Sequence, residues 1–188
     1  MTILTPCINN TGDYLKLLYD LFTDLVKSPH EGSPPRALVF YEHEIVSKSY
    51  ELPLYVLSLP DIIDSTYGDD GRDEDELSVS ILIKVPKNKE NASVLAATLA
   101  GFATAKLKEQ CFADYLDPDA DATEYPDDIQ ASPLRWDNNE LGYEVTFTQR
   151  IRYGLEENTY GLWVGAELTE TNGTVVNHEF ESDYPESG

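Results

Sequence analysis

The sequence predicts an α+β domain built on an antiparallel or mixed sheet, with two main helices packed on one face. Three observations support this class: two helix patterns, runs of alternating strand residues, and their order along the chain, which is helix, strands, helix, strands. A length of 188 residues with 41% hydrophobic residues suits one compact domain. We expect residues 1–168 to form that domain and residues 169–188 to form a flexible, acidic C-terminal arm.

The first helix is predicted over residues 12–27. Apolar residues recur there at helical spacing, and Asn10 or Thr11 can cap the first turn. Ser28-Pro29 ends the pattern, because the residue before a proline disfavours the helical conformation. The apolar stripe consists of Leu15, Leu18, Phe22 and Leu25, and Leu21 and Val26 widen it.

Three strands are predicted between the two helices, at residues 37–46, 52–59 and 77–85. The second has Pro53 and Pro60 at its ends, which suits an edge position or the ends of a strand. The third is the clearest inner strand, because a strongly apolar residue occupies every second position. This apolar set is Leu77, Val79, Ile81, Ile83 and Val85.

The second helix is predicted over residues 91–112. Much of its surface is formed by alanines and a glycine, whose small side chains let the helix lie close to a sheet or to another helix. Its larger apolar residues are Leu95, Leu99, Phe102 and Leu107.

A long strand is predicted at residues 142–154, and a turn at Asn138-Asn139 would pair it with residues 134–137. A last strand is expected at residues 159–168, with a possible hairpin turn at Asn172-Gly173 after it. Strands therefore dominate the second half of the predicted domain.

The net charge of −22 is concentrated in three segments, residues 61–76, 114–128 and 167–188. These segments hold 21 of the 35 acidic residues and one of the 13 basic residues, which leaves a nearly neutral body. Because like charges repel, we expect the segments to be loops or arms outside the core. They are either solvated loops that keep the protein soluble, or the lining of a surface that must not hold DNA. The acidic residues assigned to such a surface are Asp69, Asp70, Asp73, Glu74, Asp75, Asp117, Asp119 and Asp121.

The same charge excludes several classes of partner. A strongly acidic chain does not bind nucleic-acid phosphates or membrane headgroups non-specifically. No window of about 20 apolar residues occurs, so we expect no membrane span.

Cys7 and Cys111 are too few for a disulfide framework or a cysteine-based zinc site.

Motifs that carry enzyme chemistry are missing from the sequence. It has no nucleophile elbow, no phosphate-binding glycine loop and no histidine pair at metal-binding spacing. Residues 117–121 look like the start of a calcium loop, but Ala122 stands where the sharp turn needs glycine and Asp128 where the loop needs glutamate. We therefore expect no enzymatic activity, no metal and no cofactor.

Over residues 11–168, the order of the elements and the residue types within them resemble those of the tail terminator, or tail completion, proteins of tailed bacteriophages. The resemblance rests on four features: the amphipathic first helix, the strand at 77–85, the small-residue helix at 91–112, and the strand that starts with Gly142-Tyr143 and ends near Arg152. It implies a homo-hexameric ring that caps the tail tube and contacts the tube protein and the head-neck connector. DNA would pass through an acidic channel without specific binding. It also implies a place in the tail or neck of the virion, after assembly in the host cytoplasm.

Arg135, Arg150 and Arg152 are the concentrated basic residues of the predicted body. We expect them to meet carboxylates of a neighbouring subunit or of the tube. The alternative is that they form the solvated face of a strand.

Three other classes compete with this interpretation. One is an acidic inhibitor that mimics DNA, although a mimic spreads its carboxylates over a continuous rigid face and the acidic segments here contain turn residues. Another is a different phage structural part, such as a neck, head-completion or capsid decoration protein. The third is a small enzyme whose site the sequence does not reveal.

Overall fold

The computed structural model describes residues 7–27, 36–44, 53–112, 114–116, 121–135 and 140–154. Two helices and a six-stranded mixed sheet form in these residues, which confirms the α+β class. The elements in chain order are α1 (Thr11–Lys27), β1 (Leu38–Tyr41), a 3-10 turn (Glu42–Glu44), β2 (Leu54–Leu57), β3 (Asp61–Tyr67), β4 (Asp73–Pro86), α2 (Ala92–Leu107), β5 (Asp127–Arg135) and β6 (Glu140–Arg152).

The sheet is organised around β4. Its order is β1-β2-β4-β6-β5, and β3 lies beside β4 as well. β1 and β2 are parallel, whereas every other pairing is antiparallel. β2 pairs with the second half of β4, from Leu57–Ile81 to Leu54–Lys84, and β3 pairs with the first half. β2 and β3 therefore occupy successive stretches of the same edge of β4.

Both helices cover the same face of this sheet, as Tyr55 on β2 illustrates. Its ring packs against Phe22 of α1 with centroids 5.1 Å apart. Its hydroxyl donates to the Leu99 carbonyl of α2 at 2.9 Å. The predicted alternation of β4 is confirmed, because Leu77, Val79, Ile81, Ile83 and Val85 are all buried in the same core.

α1 begins as predicted, because the Asn10 side-chain oxygen accepts a hydrogen bond from the Asp13 amide at 3.1 Å. Its buried stripe differs from the predicted one: Leu15 and Leu25 are only partly buried. Leu21 is buried as predicted, whereas the buried Tyr14 and Leu17 were not part of the predicted stripe; α1 packs here on β1 and β2. The buried stripe is Tyr14, Leu17, Leu18, Leu21 and Phe22.

α2 contacts the sheet through alanines more than through its large residues. Leu99 and Leu107 are buried as expected, but Leu95 is only partly buried. The remaining buried positions are Ala92, Ala96, Ala100 and Ala103. The helix ends at Leu107, five residues before the predicted end.

The acidic segment 61–76 is not a loop, and this prediction was wrong. Asp61–Tyr67 is strand β3, and β4 starts at Asp73, four residues before the predicted strand. The turn between them includes Gly71, whose φ of +84° suits glycine. Strand pairing prevails over charge repulsion because arginines of β6 lie opposite the glutamates of β4.

The other acidic segment that is described also enters the sheet in part. β5 starts at Asp127, and Thr123 forms an isolated bridge with Ile151. β5 pairs with β6 over a longer stretch than the predicted residues 134–137.

Several predictions lie outside the described residues. They are the strand at 159–168, the turns at 138–139 and 172–173, the arm at 169–188, and Asp117 and Asp119. Within the described ranges, neither helix has the length and apolar character needed to cross a membrane.

Candidate functional site

Charged side chains line the face of the sheet that points away from the helices, where the start of β4 pairs with the end of β6. Glu74 lies opposite Arg152 and Glu76 opposite Arg150. Because side chains alternate along a strand, these four share one face while Asp75 and Leu77 point to the core side. We call the set of Glu74, Glu76, Asp121, Glu124, Arg150 and Arg152 the carboxylate–arginine array.

Arg152 is the centre of this array. Its guanidinium contacts Glu74 at 2.9 Å, Asp121 at 3.0 Å and Glu124 at 2.6 Å. Burial by itself would lower the pKa of Arg152, but the hydrogen bond that Arg152 donates to Glu74 and the three carboxylate charges outweigh burial and raise the pKa. One arginine thus joins β4, β6 and the segment before β5.

Arg150 is more exposed and more loosely paired. Its terminal nitrogens lie 3.4 Å from Glu76 and 3.9 Å from Glu74, and 40% of the side chain is exposed. An exposed pair at these distances contributes little to stability. Arg150 therefore neutralises carboxylates without holding them tightly.

Arg72 supports the turn of the β3–β4 hairpin. It is 5% exposed, its Nε donates to Asp70 at 2.6 Å, and its backbone amide donates to the other Asp70 oxygen at 3.0 Å. The side-chain hydrogen bond from Arg72 is the largest cause that lowers the pKa of Asp70. Sequence reasoning did not select Arg72, although it is the one base in residues 61–76.

A tyrosine–carboxylate pair lies on the core side of the same region. The Tyr153 hydroxyl donates to the buried Asp75 at 2.5 Å and lies 3.0 Å from the Thr11 hydroxyl. Burial, together with the hydrogen bond to Asp75, raises the pKa of Tyr153 to about 12. Tyr153 therefore joins Asp75 of β4 to the start of α1, and Asp75 is buried on the core side of the sheet.

Gln149 is the second residue that sequence reasoning missed. It is 2% exposed and accepts from the Tyr14 hydroxyl at 2.6 Å. Its amide nitrogen donates to the Gln110 carbonyl at 3.1 Å and the Glu124 carbonyl at 2.6 Å. The sequence does contain a signal for this residue: Gln149 occupies an inward position of the strand alternation, between the apolar residues Phe147 and Ile151.

The predicted site residues are only partly brought together. Asp121, Glu74, Arg150 and Arg152 meet in the array, whereas Arg135 lies at the far end of the β5–β6 pair, opposite Leu141. Asp69 and Asp73 are exposed at the hairpin turn and its edge. Arg150 and Arg152 contact carboxylates of their own chain; the predicted contact with a neighbouring subunit stays a prediction.

The array borders an open polar groove of about 500 Å³. Four carboxylates and one arginine line it, which gives the groove a negative potential. They are Glu76, Glu124, Asp127, Asp128 and Arg150. Among the described residues, no group of three or more histidine, cysteine or acidic side chains is arranged to hold a metal ion.

The class defined by this fold and surface is an α+β protein with an acidic, arginine-braced sheet end. Comparison with models of known protein families gives no match, and comparison with curated protein sequences gives none either.

Proposed function

We propose that this chain is a non-enzymatic structural subunit, the tail terminator of a tailed bacteriophage. Copies would form a hexameric ring that caps the tail tube and joins it to the neck. The resemblance in element order over residues 11–168 supports this proposal, as does the α+β fold with a single helix-covered face.

The observation that carries the proposal is the acidic surplus at one end of the sheet. Residues 61–76, 121–128 and 149–154 contain twelve carboxylates and three arginines. Eight of the twelve carboxylates lie on the paired strands β3, β4 and β5, and the others lie in the β3–β4 turn or just before β5. Arg72 and Arg152 hold several of them in place. A fixed negative wall repels the phosphates of a passing duplex and keeps it from adhering.

The arginines take a different role in this proposal from the one first expected. Arg152 has three carboxylate partners within the chain, and in this proposal it stabilises the negative surface; its contact with a neighbouring subunit stays a prediction. Arg135, at the opposite end of β6, remains the basic residue proposed for contact with a neighbouring subunit or the tube.

The direct test is the mass of the assembled full-length chain. Native mass spectrometry and light scattering should find a ring of six times the 21.1 kDa chain mass, alone or on tubes of tail tube protein. Negative-stain images should show a central hole at the tube end. A chain that neither associates nor binds tubes contradicts the proposal.

One observation favours a second candidate, the acidic inhibitor that mimics DNA. The acidic residues at 61–67 and 73–76 lie on rigid strands and not in loops, which weakens the sequence-based objection to a mimic. A mimic would remain a monomer or dimer and would titrate a DNA-binding protein at fixed stoichiometry. Light scattering with and without such a protein distinguishes the two candidates.

A further inference from the structure

The two ends of β4 carry surfaces of opposite charge. The first surface, here the acidic hairpin, is residues 61–76: β3, the turn and the start of β4. The second, here the lysine end, lies where β4 finishes and comprises Arg36, Leu38, Lys84, Lys87 and Lys89, with Glu90 as an exposed acid in the same turn. Ten residues separate Glu74 from Lys84, which corresponds to about 33 Å along a strand.

The acidic hairpin combines carboxylates with exposed apolar side chains. All seven residues of β3 are exposed, on both of its faces. Ile62 is 55% exposed, Ile63 54% and Tyr67 71%. Asp61 and Asp64 lie on the same strand, and within the described residues β3 pairs only with β4. An exposed edge strand with apolar side chains is typical of a surface that another chain covers.

The lysine end has the complementary composition. Register places Leu38 beside Leu54, which in turn lies beside Lys84, so these residues form one row across the sheet. Lys87 and Lys89 are exposed in the turn that follows β4, and Arg36 is exposed just before β1. Leu38 is 38% exposed. Bases therefore outnumber acids at the lysine end, whereas acids dominate the acidic hairpin.

We infer that the acidic hairpin of one copy docks on the lysine end of the next copy, an inference that rests on the ring of the proposed function. The two surfaces differ, so the contact is head-to-tail and can close into a ring. Opposite charges steer the encounter and fix its direction, and apolar contact of Ile62 and Ile63 with Leu38 excludes water. Joining a negative end to a positive end also lowers the repulsion between copies of net charge −22.

Charge reversal at each end supplies the test, with the association of the full chain measured by sedimentation velocity. D61K/D64K changes the charge of strand β3 from −2 to +2, and K87E/K89E replaces the two lysines of the turn after β4 with glutamates. Each variant alone should lower the association constant at least about tenfold, because like charges then face each other. Asp64 lies opposite Glu76, so a lysine there keeps the hairpin paired, and circular dichroism checks the fold.

Complementation gives the decisive result. An equimolar mixture of the two variants should associate again, because each reversed end meets an opposite charge on the other protein. The chain with all four changes should associate by itself for the same reason. K16E/K27E, on exposed lysines of α1 outside both surfaces, is the matched control and should leave association unchanged.

Each contrary result has a distinct meaning. Unchanged association of both variants, or no recovery on mixing, overturns the head-to-tail contact while a wild-type ring would leave the terminator proposal standing. Wild-type chain that stays monomeric at tens of micromolar also overturns the contact, and tube binding in the same experiment then decides the proposed function separately.

Discussion

Gln149 is a polar side chain at a position where the alternation of β6 calls for an apolar one. It joins four parts of the chain, since its partners belong to α1, the segment after α2 and the segment before β5. The bonds to Tyr14 and Gln110 are buried and the bond to Glu124 is partly buried, so removal of the amide would leave buried groups without a partner, and an unsatisfied buried group is costly. The residue therefore acts as a structural connector.

Gln149→Leu should destabilise the chain by about 3 kcal/mol, because it leaves the Tyr14 hydroxyl and the Gln110 and Glu124 carbonyls unpaired. Urea unfolding followed by fluorescence measures the loss. Tyr14→Phe removes one of the three bonds and should cost about 1 kcal/mol. A Q149L chain as stable as the wild type would show that these bonds contribute nothing.

The hydroxyl of Tyr153 makes the free energy of unfolding depend on pH in the alkaline range. Its folded pKa of about 12 lies above the ordinary value of 10.0. Folding therefore favours the neutral hydroxyl. Its contribution to the free energy of unfolding is complete below pH 10 and is lost as the pH rises toward 12. Tyr153→Phe should make the decline in unfolding free energy between these pH values shallower. Tyr67→Phe, at an exposed tyrosine, is the control and should leave the decline unchanged.

At the scale of elements, α2 contacts the sheet through small residues. Ala96, Ala100 and Ala103 face the core, so the helix axis lies close to β4 and β6. Close approach leaves no room for larger side chains, because protein interiors are packed as densely as organic crystals.

Ala103→Leu should destabilise the chain by about 2 kcal/mol, because the added carbons must displace core atoms. Ala103 is fully buried, whereas Ala105 is exposed on the same helix. Ala105→Leu is therefore the matched control and should change stability by less than about 0.5 kcal/mol. Thermal unfolding of both variants measures the difference, and equal effects would contradict the packing of α2.

At the scale of the whole molecule, negative charge is segregated at one end of the sheet. The arginines there offset only part of it, so the folded chain carries unfavourable repulsion at low ionic strength. Salt screens this repulsion more than it weakens the partly buried Arg152 pairs.

The melting temperature should therefore rise by a few degrees when NaCl is increased from about 0.02 M to about 0.3 M. Asp64→Asn removes a carboxylate opposite Glu76 and should raise the melting temperature at low salt while reducing its dependence on salt. A melting temperature that falls with salt would mean that ion pairs outweigh repulsion. Head-to-tail association should weaken with salt, whereas the melting temperature should rise, so association and stability can be told apart.

Much of the fold follows from local patterns along the chain. The spacing of Leu18 and Phe22 marks α1, the alternation of Leu77 to Val85 marks β4, and Asn10 marks a helix start, because each pattern reflects the geometry of one element. The acidic segment 61–76 was misjudged because its charges are offset by Arg150 and Arg152, which are more than seventy residues away in sequence.

Composition and periodicity were sufficient for the α+β class, the helices and the inner strands. The partners of Arg152, the three bonds of Gln149 and the separation of acidic and basic surfaces to opposite ends of β4 depended on strand register. Register is set by which distant segments pack together, and no single segment contains that information. Electrostatic energy depends on distances in space, so only the folded structure shows which charges attract and which repel each other.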